Sequence, residues 1–178
     1  RCSWCSNDEL AEYHDTEWGV PVHDDTVLFE YLILEGAQAG LSWSTILKKR
    51  EGYRDVFHNF DIQRVASMSE KEIQKALENP AIVRHEGKIR STVQNANAVL
   101  EIIEEFETFD AYVWSFFDEP LHIVRESLQD FPSKTKKSTQ LSKDLKKRGC
   151  NFVGPTSIYA FMQAIGVVDE HEKTCWRA

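Results

Sequence analysis

Apolar residues in this chain recur every three or four positions, a spacing that suits helices and little else. The clearest case runs from Lys88 to Phe106, where Ile89, Val93, Ala96, Leu100 and Ile103 fall on one stripe. The same period predicts helices near 7–17, 25–39, 43–58, 61–67, 70–78, 86–106, 108–117, 138–148 and 156–165. No stretch alternates long enough to suggest a strand, and no repeat is visible. The chain is therefore read as all-α. Local signals agree: Ser69 and Glu72 form a capping box, and Pro80 stops the helix that follows. The polar, basic stretch DFPSKTKKSTQ, 130–140, reads as an exposed loop.

The 178 residues suffice for one domain with a real core, expected to span 1–178. No run of about 18 apolar residues exists, so no membrane span is expected. Neither is a signal-peptide pattern visible. Cysteines at positions 2, 5, 150 and 175 are too sparse for a disulfide framework and suit the thiols of a cytoplasmic protein. A net charge of -8 argues against a protein that coats nucleic acid, but leaves room for a local basic patch.

One acid is out of place. In the helix predicted over 25–39, Glu35 follows Tyr31 by four residues and Leu28 by seven, so it shares the face they bury. Trp4, Tyr13, Trp18 and Trp43 are all nearby in sequence. Aromatic faces and a carboxylate together recognise a flat cation. The alternative is core packing, with Glu35 paired to an arginine or a backbone N–H.

Two further patterns carry chemistry. Cys2 and His14 near one end, with His171 and Cys175 in HEKTC at the other, could form a closed tetrahedral zinc site that clips the termini. A helical tail would put the last two on one face. Cys5 competes as a ligand, and idle thiols with surface histidines are the bland reading. The second pattern is LSKDLKKRGCNFVGPTSIYAFMQAIG, 141–166, a basic helix, a glycine-bounded turn and an apolar helix. Gly154 and Thr156 stand where free N–H groups at a helix start bind phosphate. Lys143, Lys146, Lys147 and Arg148, with Lys134, Lys136 and Lys137 upstream, supply positive charge. An ordinary helical corner with a solvated lysine face is the alternative. Arg84, His85, Lys88 and Arg90 form a second basic cluster.

Taken in order, YHDTEWGVP (13–21), LFEYLILEGAQAGLSWSTILKKRE (28–51), IVRHEGKIRSTVQNA (82–96), the 141–166 segment and the terminal HEKTC resemble the bacterial type I 3-methyladenine-DNA glycosylases of the helix–hairpin–helix superfamily. The resemblance covers essentially the whole chain. It implies two helical lobes around a groove, and structural zinc held by Cys2, His14, His171 and Cys175. It implies that Glu35 and Tyr13 hydrogen-bond the alkylated base, that Trp43 stacks on it, and that Trp4 and Trp18 lie near the pocket. No acid follows Gly154 until Asp169, which matches this branch's lack of the superfamily's catalytic aspartate.

The expected partner is then double-stranded DNA containing alkylated bases, the expected product 3-methyladenine, and the expected form a cytoplasmic monomer without lyase activity. Leu41 is the candidate wedge that fills the gap left by a flipped base. The rival reading is a non-catalytic, zinc-stabilised helix–hairpin–helix DNA-binding module.

Overall fold

Helix starts are marked in this chain by side chains that accept the first free N–H groups. In the computed structural model, which describes every residue from Arg1 to Ala178, such caps open most of the ten helices. Asn7 caps α1 (Asp8–Thr16), Asp24 caps α2 (Asp25–Ala37) and Ser42 caps α3 (Trp43–Lys48). Beyond α4 (Arg50–Val56), Asp61 caps α5 (Ile62–Ala66). The capping box at Ser69 and Glu72 opens α6 (Glu70–Glu78) as expected, and His85 caps α7 (Glu86–Phe106). Thr108 and Thr135 cap α8 (Phe109–Trp114) and α9 (Lys136–Lys147). By contrast, α10 (Pro155–Ala164) starts at Gly154 with no side-chain cap, and Pro155 takes its first position.

The centre of the core is α2. Every residue from Leu28 to Ala37 is buried, so this helix is apolar almost all round and packs against α7, α8 and α10. Gly36 permits a close approach by the chain between α9 and α10. A side chain there would begin 2.9 Å from the carbonyl of Phe152, in the turn between α9 and α10. The far end of α2 is tied down by Lys88, whose ammonium donates to the carbonyls of Ala37 and Ala39 at 2.9 and 2.6 Å. Gly40 then takes a left-handed turn, φ +79°, into the Ser42 cap of α3.

The structure corrects the all-α expectation in one place. Leu121–Arg125 (β1) and Val168–Glu172 (β2) pair in parallel, with Ile123 opposite Glu170 and Val124 opposite His171. Parallel strands need a crossover, and α9 and α10 provide it. Alternation was invisible because β2 reads VDEHE and buries its polar residues. Two smaller corrections follow. The helix expected over 43–58 breaks at Lys49 into α3 and α4, and the loop expected over 130–140 becomes helical from Lys136. No helix is long and apolar enough to cross a membrane.

Candidate functional site

Helices α1, α2, α3 and α10 converge on a cavity of about 610 Å³, a volume suited to a small planar ligand. Tyr13 of α1, Glu35 of α2 and Trp43 at the start of α3 form one part of its wall. The rings of Tyr13 and Trp43 lie 5.3 Å apart. Trp4 and Trp18 line another part, edge to face at 5.0 Å, and Phe131 stacks beyond Trp18 at 6.5 Å. All five aromatic and acidic residues singled out from the sequence therefore meet at one chamber. Phe131, Gln38, Ala160 and Gln163 also line it and were not anticipated. Nothing local marks them, since they come from a loop or from helix faces that only packing turns inward.

Two buried polar atoms of this wall are left unpaired. Glu35 is 5% exposed and its Oε2 has no hydrogen-bond partner; the buried Nε1 of Trp43 has none either. Burial alone pushes the Glu35 carboxyl up to about 8. Glu30, on the same helix, shows the usual alternative: Arg50 and Arg54 reach its carboxylate at 2.5 and 2.9 Å. The core thus pairs one acid of α2 and leaves the other bare beside a cavity. Burial, and next the nearby Glu35, also hold the Tyr13 phenol well above its usual range, so it remains a donor. Bare acceptor, bare donor and stacked rings together fit a flat base that offers hydrogen-bonding edges and a π face.

Beside the aromatic wall lies the second group. One donor atom each from Cys2, His14, His171 and Cys175 lies within 4.8 Å of all the others, and all four residues are buried. Sulfur–nitrogen separations are 3.5 Å from Cys2 to His171, 3.3 Å from Cys175 to His14 and 3.6 Å from Cys175 to His171. A tetrahedron with bonds of about 2.0–2.3 Å has edges of about 3.3–3.8 Å, so these three separations fit zinc. The outer contacts fit as well. His14 presents Nε2 and binds Asp15 through Nδ1 at 2.9 Å; His171 presents Nδ1 and binds Asp169 through Nε2 at 2.7 Å. The N–H groups of Glu172 and Arg177 donate to the sulfurs of Cys2 and Cys175.

No helix brings the two residues of HEKTC together. His171 lies in β2 and Cys175 in the turn after it, and strand plus turn bring the two together. Cys5 stands outside the group. The imidazoles also brace the cavity: His14 stacks on Trp18 at 5.9 Å, and Trp4 meets His14 at 5.4 Å.

The basic candidates divide. Lys146 and Lys147 are exposed in the last turn of α9, and Thr156 is exposed in the uncapped first turn of α10, after Gly154. Arg148 differs from the expectation. Its guanidinium pairs with Asp144 and Glu105, both at 2.7 Å, and lies over the rings of Phe106 and Tyr112. Those contacts hold α9 to α7 and α8, so its charge is spent internally. Most of the 84–90 cluster is likewise internal: Lys88 caps α2, His85 caps α7, and Arg90 pairs with Glu70 and Glu86. Leu41 is 39% exposed in the turn after Gly40.

Comparison with known proteins gives one answer throughout. The sequence model of the methyladenine glycosylase family matches residues 4–178. DNA-3-methyladenine glycosylase 1 of Escherichia coli K12 is 48% identical over 177 residues, covering 98% of this chain and 95% of that protein. A crystal structure of 3-methyladenine DNA glycosylase I superposes with a TM-score of 0.95 at 49% identity, covering 99% and 98% of the two chains. A substituted form of 3-methyladenine DNA glycosylase I, in complex with 3-methyladenine, superposes with a TM-score of 0.93 at 36% identity, covering 97% and 93%.

Proposed function

The chain belongs to the methyladenine glycosylase family, and from that premise we propose that it hydrolyses the N-glycosidic bond of 3-methyladenine in alkylated double-stranded DNA, releasing the base and leaving an abasic site. The observation that carries this reading is the pair of unpartnered polar atoms, Glu35 Oε2 and Trp43 Nε1, on residues that line an aromatic-walled cavity with room for a flipped base. A non-catalytic DNA-binding module has no use for such a chamber. Chromatography of bases released from methylated duplex DNA tests the proposal. Free 3-methyladenine well above the uncatalysed rate is expected, and none above it would refute the reading.

The chemistry follows from charge. Adenine methylated at N3 is cationic, so it departs neutral when the bond to deoxyribose breaks. The leaving group needs no proton from the protein, which suits a site without the superfamily's aspartate. Backbone phosphates dock at the uncapped start of α10, around Gly154 and Thr156, with Lys146 and Lys147 adding charge. The damaged nucleotide swings out of the stack into the cavity, and Leu41 fills the gap. Trp43 stacks on the base, with Trp4 and Trp18 completing the aromatic wall, while Glu35 and Tyr13 bind its edge. A cationic base reverses the pressure on Glu35 and favours its carboxylate. Normal adenine lacks that charge and keeps a strong glycosidic bond.

Cys2, His14, His171 and Cys175 would hold structural zinc. Four protein donors close the coordination shell, so the metal supplies stability and no open position for substrate. We further propose that residues 1–178 form one helix–hairpin–helix domain of two lobes, acting as a cytoplasmic monomer. No lysine is among the residues lining the cavity, and we propose no lyase activity.

A further inference from the structure

One stripe of α10 leads from the proposed phosphate site into the cavity. Residues seven apart on a helix lie within about 20° of each other and roughly 10 Å apart along its axis. Thr156 and Gln163 stand in that relation, and Ala160 sits between them. Thr156 is exposed at the helix start, whereas Ala160 and Gln163 line the cavity. In a nucleotide the sugar lies between phosphate and base. A flipped nucleotide held at both ends therefore brings its sugar along this stripe, where the single methyl group of Ala160 leaves room.

Gln163 is the polar group at the inner end, and its amide is set by a buried carboxylate. Its Nε2 donates to Glu170 Oε2 at 2.9 Å. Glu170 is fully buried and also accepts from the Tyr159 hydroxyl at 2.7 Å and from Arg125. A carboxylate paired with arginine only accepts, so it takes the N–H end of the amide. The carbonyl Oε1 of Gln163 is thereby left as an acceptor for the cavity. Glu170 has no exposed surface of its own with which to touch a substrate. Gln38, the other amide in the wall, has no side-chain partner to orient it and lies beyond the end of α2.

We propose that Gln163 holds the attacking water by accepting one of its hydrogens at Oε1, and that Glu170 is the positioning residue that sets this amide. The inference rests on the glycosylase reading above. The bond from C1′ to N9 breaks with its electron pair kept by the base, which leaves as neutral 3-methyladenine. The water oxygen then bonds to C1′. The water's proton passes to solvent through the cavity mouth, because an amide oxygen does not retain it.

The test compares wild-type protein with Gln163→Met and Glu170→Gln, which preserve side-chain size. Three quantities are measured: single-turnover release from duplex DNA containing 3-methyladenine, affinity for the free base, and partition of the sugar product between water and added methanol. A misplaced nucleophile costs about 10- to 100-fold, so release by Gln163→Met should slow by that factor. Affinity for free 3-methyladenine should hold, and selection of water over methanol should weaken. Glu170→Gln keeps the Gln163 side chain but frees its amide to turn, and should shift rate and partition the same way. An unchanged release rate in a folded Gln163→Met protein would overturn the proposal. So would an equal loss of free-base affinity, which would make Gln163 a base ligand. Absence of base release by the wild-type chain would instead count against the glycosylase reading.

Discussion

Glu35 Oε2 and Trp43 Nε1 line one cavity, an acceptor and a donor, and neither has a partner in the protein. Leaving either group unpaired costs about 1–3 kcal/mol. The fold carries that cost beside a cavity where a ligand can relieve it.

Stability and function should therefore separate at Glu35. Burial raises the Glu35 carboxyl from its ordinary value of 4.5 to about 8, so the native state holds the extra proton between those values. Stability falls as pH rises through that window. Glu35→Gln should remove this slope and leave the protein more stable near pH 8, by up to a few kcal/mol at about 1.4 kcal/mol per pKa unit. The same variant should bind 3-methyladenine more weakly and release it from DNA more slowly. Thermal melts across pH and release assays check both, and unchanged excision would sink the assignment of Glu35.

The pH dependence of kcat/KM should reflect the same group. Free protein with Glu35 protonated lacks the negative charge that a cationic base requires. On 3-methyladenine DNA, kcat/KM should rise toward a plateau through an apparent pKa near 8, the value burial sets for Glu35. Glu35→Gln should lose that limb.

Cys175→Ser should release the metal and destabilise the chain together. Removing one of four ligands should cost more than about 3 kcal/mol, or about 6–12 °C in Tm for a domain of this size. Metal analysis beside calorimetry reads both quantities. A metal-free variant that melted like wild type would refute the clip.

Replacing Lys146 and Lys147 with alanine should weaken binding to damaged and undamaged duplexes alike. Two lost phosphate contacts lower the slope of log K against log salt by about 2. An unchanged slope would remove these lysines from the DNA surface.

Arg148→Ala should behave differently from its neighbours. Its contacts with Asp144, Glu105, Phe106 and Tyr112 are internal, so its loss should cost about 1–2 kcal/mol of stability. The salt slope should stay as in wild type. Denaturant melts and DNA titrations check this pair of outcomes.

Local signals made much of this readable in advance. Helices α6 and α7 begin and end where caps and apolar spacing place them, because those rules act within a few residues. Glu35 was conspicuous because an acid on a buried helical face breaks the pattern. The four residues of the Cys/His group were recognisable as donor types at the two ends of the chain, and the resemblance singled them out. Strand β2 was not readable: its polar residues are buried beside the Cys/His group and in the Gln163 network, so alternation was lost. The internal pairing of Arg148 was not readable for a related reason, since charge in a sequence does not say which nearby carboxylates it meets.

By itself the sequence determined the helical period, the caps, the anomalous acid and the set of donor residues, all properties of neighbours along the chain. Only the tertiary structure decided that Glu30 is paired while Glu35 is bare, that Cys5 is excluded, and that Gln163 faces the cavity. Those outcomes depend on which groups meet after the chain has folded back on itself. Hydrogen bonding and desolvation act over a few ångströms in space, whatever the separation in sequence.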